Sequence, residues 1–104
     1  MVLLCGEPRL PEISLGWEGA FPPNTWFALA VKAGHAVTGV DLGRLDKAIR
    51  RCHVQALRHK SEMSEFDIPH AIIECQAFTR DGGGVTMNIS ATNGDNFTED
   101  KYIR

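Results

Sequence analysis

Apolar residues recur at helical spacing between Asp41 and Lys60. Apolar residues stand at positions i, i+3, i+4, i+7 and i+11, the repeat that lines one face of an α-helix: Leu45, Ala48, Ile49, Cys52 and Ala56. Asp41 stands where an N-cap carboxylate would accept the free backbone N–H groups of the first turn. The pattern therefore predicts a long amphipathic helix over residues 42–60, with Ile49 at the centre of its buried face.

Alternation of apolar and polar residues predicts strands before and after this helix. The two clearest strands cover residues 70–78 and 85–92, and the glycine-rich turn at residues 80–84 joins them in an antiparallel hairpin. Weaker alternation predicts further short strands at residues 2–4 and 12–17, and residues 97–103 could form a short edge strand or a frayed tail. The predicted fold class is α+β, one long amphipathic helix packed on a mainly antiparallel β-sheet, in a single domain over residues 1–104.

Residues 26–33 are compatible with two structures. Thr25 could cap a short helix that ends at Gly34, or alternate residues could line a strand that turns there and returns through residues 36–40. The Trp, Phe and Val residues favour a strand, and the Ala residues favour a helix. We predict the strand. Residues 61–67 are polar and acidic, so we predict a connecting segment there.

The composition, with 43% hydrophobic and 23% charged residues in 104, is typical of an ordinary globular protein. A domain of this size buries only about two-thirds of its unfolded-chain surface, so we expect a homodimer. The first apolar run lacks the length and basic residues of an export signal, and no run reaches the ~20 residues of a membrane span. With an odd number of cysteines, three, we predict a cytoplasmic protein with reduced thiols.

The sequence contains no motif for a metal or a cofactor. The spacings C-x-x-C, H-x-x-x-H and H-E-x-x-H are absent. Cys52 on the helix and Cys75 on a strand both point to the predicted core, where we expect two buried free thiols to meet. The glycines at residues 82–84 precede a strand and not a helix, so they are predicted to form a turn and not a phosphate-binding loop. We therefore predict no metal and no cofactor.

The second face of the strand at residues 70–78 carries polar groups between apolar ones. A carboxylate on a buried sheet face needs a partner, and the aromatic-rich segment 17–27 could cover this face. Apolar walls with a few convergent polar groups are typical of ligand pockets. The sequence therefore predicts a site for a small, partly apolar ligand, lined by Trp17, Phe21, Trp26, His70, Glu74, Gln76 and Phe78. The alternative is a solvent-facing sheet or a dimer interface.

Two further functions use the same residues. The aromatic side chains could form the surface of a protein–protein interaction module that binds no ligand. Glu74 and His70 could also act as base and acid in an enzyme. The pair Gly34-His35 before a long helix resembles hot-dog-fold thioesterases and dehydratases, which wrap a sheet around one helix. This match covers two residues and an outline, so no active-site residue is carried over and no family is assigned.

A third alternative is nucleic-acid binding through the basic face of the helix over residues 42–60. Four cations lie within about 60° of one another on the helical wheel, opposite the apolar face: Arg44, Lys47, Arg51 and Arg58. Phosphate groups could bind there. Since the remainder of the chain is acidic and the face has no interleaved aromatic residues, we predict a solvated face, or one paired with acids of a neighbouring subunit.

Overall fold

The computed structural model describes residues 11–92. Its elements are β1 (Glu12–Glu18), α1 (Asn24–Thr38), α2 (Leu42–Arg58), β2 (Met63–Ile68), β3 (Ala71–Phe78) and β4 (Gly84–Ala91). The strands form one antiparallel sheet in the order β1-β4-β3-β2, and both helices pack on the same face of it. The α+β class with an antiparallel sheet is confirmed. The prediction of one long helix is wrong, because α1 packs beside α2.

The helix α2 follows the hydrophobic pattern closely. Its N-cap Asp41 accepts a hydrogen bond from the backbone N–H of Arg44 at 3.0 Å, and the helix ends at Arg58. The predicted apolar face is buried, and Ile49 at its centre is inaccessible to solvent. This helix packs mainly on β3 and β2, while α1 covers β4 and β1. The position of α2 therefore determines which side chains stand beside the edge strand β2.

Residues 26–33 form part of α1, so the prediction of a strand there is wrong. The residues that α1 buries recur at helical spacing: Trp26, Phe27, Ala30, Val31 and Gly34. The expected return strand at residues 36–40 is also wrong, since this segment ends α1 and leads into α2. Gly34 is a packing residue and not a turn, because a Cβ there would lie 3.2 Å from Ile89 Cδ1 and 3.5 Å from Leu45 Cδ1. Burial against α2 and the sheet decides the conformation of this apolar segment.

A strand, β2, occupies most of the segment predicted to be a connection. It pairs with β3 so that Phe66 lies opposite the buried Ile73, and its side chains alternate between the two sheet faces. A two-residue turn, Pro69-His70, leads into β3, so His70 lies outside the strand predicted for it, with φ 75. The prediction of a connection at residues 61–67 is therefore wrong beyond the first two residues.

The predicted hairpin is confirmed as β3 and β4. One face of these two strands carries the core: Ala71, Ile73, Cys75, Ala77, Val85, Met87 and Ile89. The turn between them contains Gly82 at φ 88 and Gly83 at φ 84, backbone conformations that glycine adopts at little cost. A Cβ at Gly83 would lie 2.6 Å from the backbone nitrogen of Ala20, so the close approach of two loops also requires glycine there.

Cys52 of α2 and Cys75 of β3 meet in the core as predicted, but they form a disulfide. Their Cα atoms are 5.9 Å apart, within the usual range for a disulfide. The expectation of two free thiols is therefore wrong for this pair. Helix period places Cys52 on the buried face and strand alternation places Cys75 opposite, which brings the sulfurs within bonding reach.

Some predictions fall outside the described residues. The short strands expected at residues 2–4 and 97–103 lie there, and one domain for the whole chain stays a prediction. Within residues 11–92 the buried apolar side chains form one core. In the same part of the chain, neither α1 nor α2 has the length and apolar character needed to cross a membrane.

Candidate functional site

A groove of about 490 Å³ runs between α2 and the edge strand β2. Its volume falls in the range of roughly 300–1,000 Å³ that is usual for small-molecule sites. The helix contributes Arg44, Lys47 and Arg51 to one side, and the floor consists of Ala48, Phe66 and Ile68. The groove is therefore cationic along one wall and apolar at its base.

The apolar floor follows from the alternation of β2. Phe66 and Ile68 are paired with the buried residues Ile73 and Ala71, so both side chains lie on the helix side of the sheet. On α2 the lining includes Ala48, whose small methyl group leaves space above these side chains. Both β2 residues are only partly buried, which leaves apolar surface accessible within the groove.

The cationic wall consists of exposed side chains at positions i, i+3 and i+7 of α2, namely Arg44, Lys47 and Arg51. Among residues 11–92 none of the three forms a salt bridge. Arg50, one residue from this row, is different, because its Nε lies 2.9 Å from Asp46 Oδ1. The carboxylate of Asp41, at the end of the groove, already accepts the N-cap hydrogen bond. The wall therefore presents cations to any anion that enters the groove.

Charge is separated by layer in the described part of the molecule. The strands carry five acidic residues and no Lys or Arg, and all five acids occur on the sheet face turned away from the helices: Glu12, Glu18, Glu65, Asp67 and Glu74. In contrast, α2 carries five cations and one acid, which are Arg44, Lys47, Arg50, Arg51, Arg58 and Asp46. The positive potential is therefore concentrated around the groove.

The residues predicted from the sequence to line one ligand site lie on two sides of the sheet. Trp26 is buried in α1, where its indole N–H donates to the carbonyl oxygen of Gly16 at 3.1 Å. Trp17 is exposed at the end of β1, and Phe21 is 72% exposed, with its ring edge against His53 on α2. These aromatic residues are on the helix side. The structure does not bring them into one pocket with the residues on the opposite face.

The remaining predicted residues belong to the outer sheet face or to the β2–β3 turn. Glu74 and Gln76 are exposed and line a depression of only about 110 Å³, and Phe78 covers Gly84 on the same face. His70 lies in the β2–β3 turn, four residues before Glu74, and not on the strand that carries Glu74. The use of these two groups as acid and base stays a prediction. Ligand binding by these residues stays a prediction.

The basic face predicted for nucleic acid is formed as a row along α2. Three of its four residues border the groove, and Arg58 continues the row beyond it, beside a shallower depression of about 310 Å³. Sequence reasoning missed the apolar floor, because residues 61–67 were predicted to be a connection. The sequence signal for the apolar floor is the alternation of residues 64–68, in which Ser64, Phe66 and Ile68 share one strand face.

Binding is the chemistry that these groove residues can perform. Among the described residues, the groove lining contains no His, Cys or Ser, and its one carboxylate, Asp41, caps the helix. Within residues 11–92, no three His, Cys, Asp or Glu side chains come together to hold a metal ion. Comparisons with known protein families, with curated proteins and with solved structures found no match to this chain.

Proposed function

We propose that this protein binds a small anionic ligand with an apolar part in the groove between α2 and β2. The observation that carries the proposal is the row of cations above an apolar floor, and none of these cations forms a salt bridge with another residue of the segment 11–92. The anionic head would lie among Arg44, Lys47 and Arg51, and the apolar part would contact Phe66 and Ile68. The proposed ligand remains small and partly apolar, as predicted from the sequence, but it contacts different residues and carries a negative charge that the cationic wall can bind.

The two parts of such a ligand have different roles. An exposed ion pair contributes only about 0.2–1 kcal/mol, whereas each buried CH₂ group contributes about 0.8 kcal/mol. The apolar part therefore supplies most of the affinity, and the cations select for negative charge. Because the groove is open and a bound ligand stays partly in water, we expect a simple alkyl carboxylate to bind with a Kd of about 1 mM.

The test compares octanoate, octanol and acetate by thermal shift and calorimetry at low ionic strength. Octanoate should stabilise the protein more than either neutral octanol or short acetate. The double variant Arg44→Gln/Lys47→Gln should lose this preference, while Lys32→Gln removes one charge from α1 and should retain it. Equal stabilisation by octanoate and octanol, or equal loss in both variants, would refute the proposal.

Nucleic-acid binding is the second candidate, because the basic row continues past the groove to Arg58. If all four cations contacted phosphates, the logarithm of the association constant would fall with the logarithm of the salt concentration with a slope of roughly −3.6. Arg58→Gln distinguishes the two functions. It should weaken binding of a nucleic acid and leave octanoate binding unchanged, since Arg58 does not line the groove between α2 and β2.

The homodimer and the interaction module are further proposals. Several large apolar side chains are exposed on the helix side, among them Phe21 at 72% and Leu29 at 56%, and either of these two could contact a second chain. Light scattering on Leu29→Ser and Phe21→Ser would detect dissociation of a dimer. The cytoplasmic location also stays a prediction, and a disulfide such as Cys52–Cys75 is more common in oxidising compartments.

A further inference from the structure

Cys52 lies on the underside of the helix that forms the cationic wall of the groove. It follows Arg51 directly and stands one turn after Ala48, and its side chain points into the core. The disulfide to Cys75 ties this part of α2 to β3, an inner strand of the sheet. The disulfide therefore anchors the wall to β3, the strand that pairs with the floor strand β2.

The surroundings of Cys52 can also accommodate a thiol. Its Sγ lies 3.6 Å from the carbonyl oxygen of Ser64 on β2 and 3.6 Å from that of Ile73 on β3. A thiol is a weak hydrogen-bond donor, and both oxygens stand at a suitable distance to accept from it. Reduction would therefore leave the Cys52 thiol with a hydrogen-bond acceptor in the core.

We propose that Cys52 and Cys75 form a reversible redox clamp on the groove. The disulfide holds the cationic wall against the sheet, and reduction lets α2 open more readily. The effect on ligand binding rests on the function proposed above, but the effect on the helix does not. Because both sulfurs are buried, exchange with an external thiol requires a local opening of α2.

The chemistry is thiol–disulfide exchange with a small thiol such as glutathione. One thiolate attacks a cysteine sulfur and breaks the protein S–S bond, which leaves a mixed disulfide and one cysteine thiolate that takes up a proton. A second glutathione thiolate displaces the other cysteine. Two glutathione molecules thus give up two electrons and two protons to the cysteine pair and leave as one glutathione disulfide. Oxidation is the reverse.

The experiment uses the full chain with Cys5→Ser, so that only the clamp cysteines remain. Oxidised glutathione should give a protein without free thiols, and a phosphine reductant should give two. Hydrogen exchange of the α2 amides should be at least about tenfold faster in the reduced protein, with a smaller change in β4. Octanoate should bind the reduced protein at least about threefold more weakly.

Two results would overturn the clamp: free thiols that persist after oxidation, or equal α2 exchange in the two redox states. If octanoate binds neither state while α2 exchange differs, the clamp stands and the ligand proposal fails.

Cys75→Ala in the same background should resemble the reduced protein under both conditions. Ile89→Val, a core change that keeps both cysteines, should still respond to redox state, which separates the clamp from a general loss of stability. If Cys75→Ala does not fold, the comparison of α2 hydrogen exchange in the oxidised and reduced Cys5→Ser protein still tests the clamp.

Discussion

The guanidinium carbon of Arg51 lies 5.6 Å from the centre of the Phe66 ring. This contact joins the cationic wall of the groove to its apolar floor. A cation over an aromatic ring at an exposed site contributes about 0.5–1 kcal/mol, enough to favour one side-chain position over free movement in solvent. Arg51 is therefore held above the floor, where the charged head of a bound ligand would meet it.

Arg51→Gln should weaken octanoate binding about three- to fivefold, because it removes one charge-assisted contact from the groove. The octanoate affinity of Arg51→Lys should lie between those of the parent protein and Arg51→Gln, since lysine keeps the charge but lacks the planar group that stacks on the ring. Calorimetry at low ionic strength measures both affinities, with Lys32→Gln as the matched control for net charge. Binding by Arg51→Gln equal to that of the parent protein would show that the head group lies elsewhere.

Ile49→Asp should lower the free energy of unfolding by about 4 kcal/mol or more, because it places an unpaired charge in the centre of the core. Val54→Asp is the control on the outer side of the same helix, where the side chain is 41% exposed. It should change stability by less than about 0.5 kcal/mol. Urea denaturation of both variants gives the comparison, and similar losses would mean that the buried face of α2 is wrongly assigned.

Trp26→Phe should destabilise the protein by about 1–2 kcal/mol. The substitution removes the indole N–H that donates to the Gly16 carbonyl on the edge strand β1, and it also reduces the buried volume. Trp17→Phe is the matched control, since Trp17 is 40% exposed and its replacement should cost less than about 0.5 kcal/mol. An equal effect of the two substitutions in chemical denaturation would argue against the role of Trp26 at this edge.

His70→Gly should stabilise the protein by about 0.5–1 kcal/mol. His70 has φ 75, a conformation that costs a side-chain-bearing residue about 1–2 kcal/mol, and the greater freedom of glycine in the unfolded chain offsets part of the gain. His70→Ala keeps the strained backbone and should bring no gain. Thermal unfolding of the two variants tests this, and a stabilisation by Ala as large as that by Gly would point to the imidazole and not to the backbone.

The elements with a clear period were predictable from the sequence. The apolar residues of α2 repeat at 3.6-residue spacing behind an N-cap aspartate, and β3 and β4 alternate strictly around a glycine-rich turn. Both patterns are local, so they need no knowledge of the neighbouring elements. In contrast, α1 is apolar on much of its surface, and the residue types from Trp26 to Ala33 are compatible with a helix but favour a strand on balance. The packing of this segment against α2 determines that it is a helix, and this packing cannot be read from the sequence pattern.

The candidate site was predictable in part for the same reason. The cations Arg44, Lys47 and Arg51 share a helix face by spacing alone, so their row could be read from the sequence. The groove also needs Phe66 beside Ala48, and that contact depends on how β2 pairs with β3 under the helix. Glu74 and Trp26 failed to meet because the sheet lies between them, which depends on the side of the sheet that α1 covers.

The separation of acids on the outer sheet face from cations on α2 gives the described part of the molecule, residues 11–92, an electric dipole. A negatively charged molecule that diffuses near it is repelled from one side and drawn toward the other, so it is turned toward the groove before contact. Added salt shortens the reach of this field to about 10 Å at 0.1 M. For the ligand proposed above, the association rate should therefore fall with ionic strength. The dissociation rate, which depends mainly on apolar contact in the groove, should change much less.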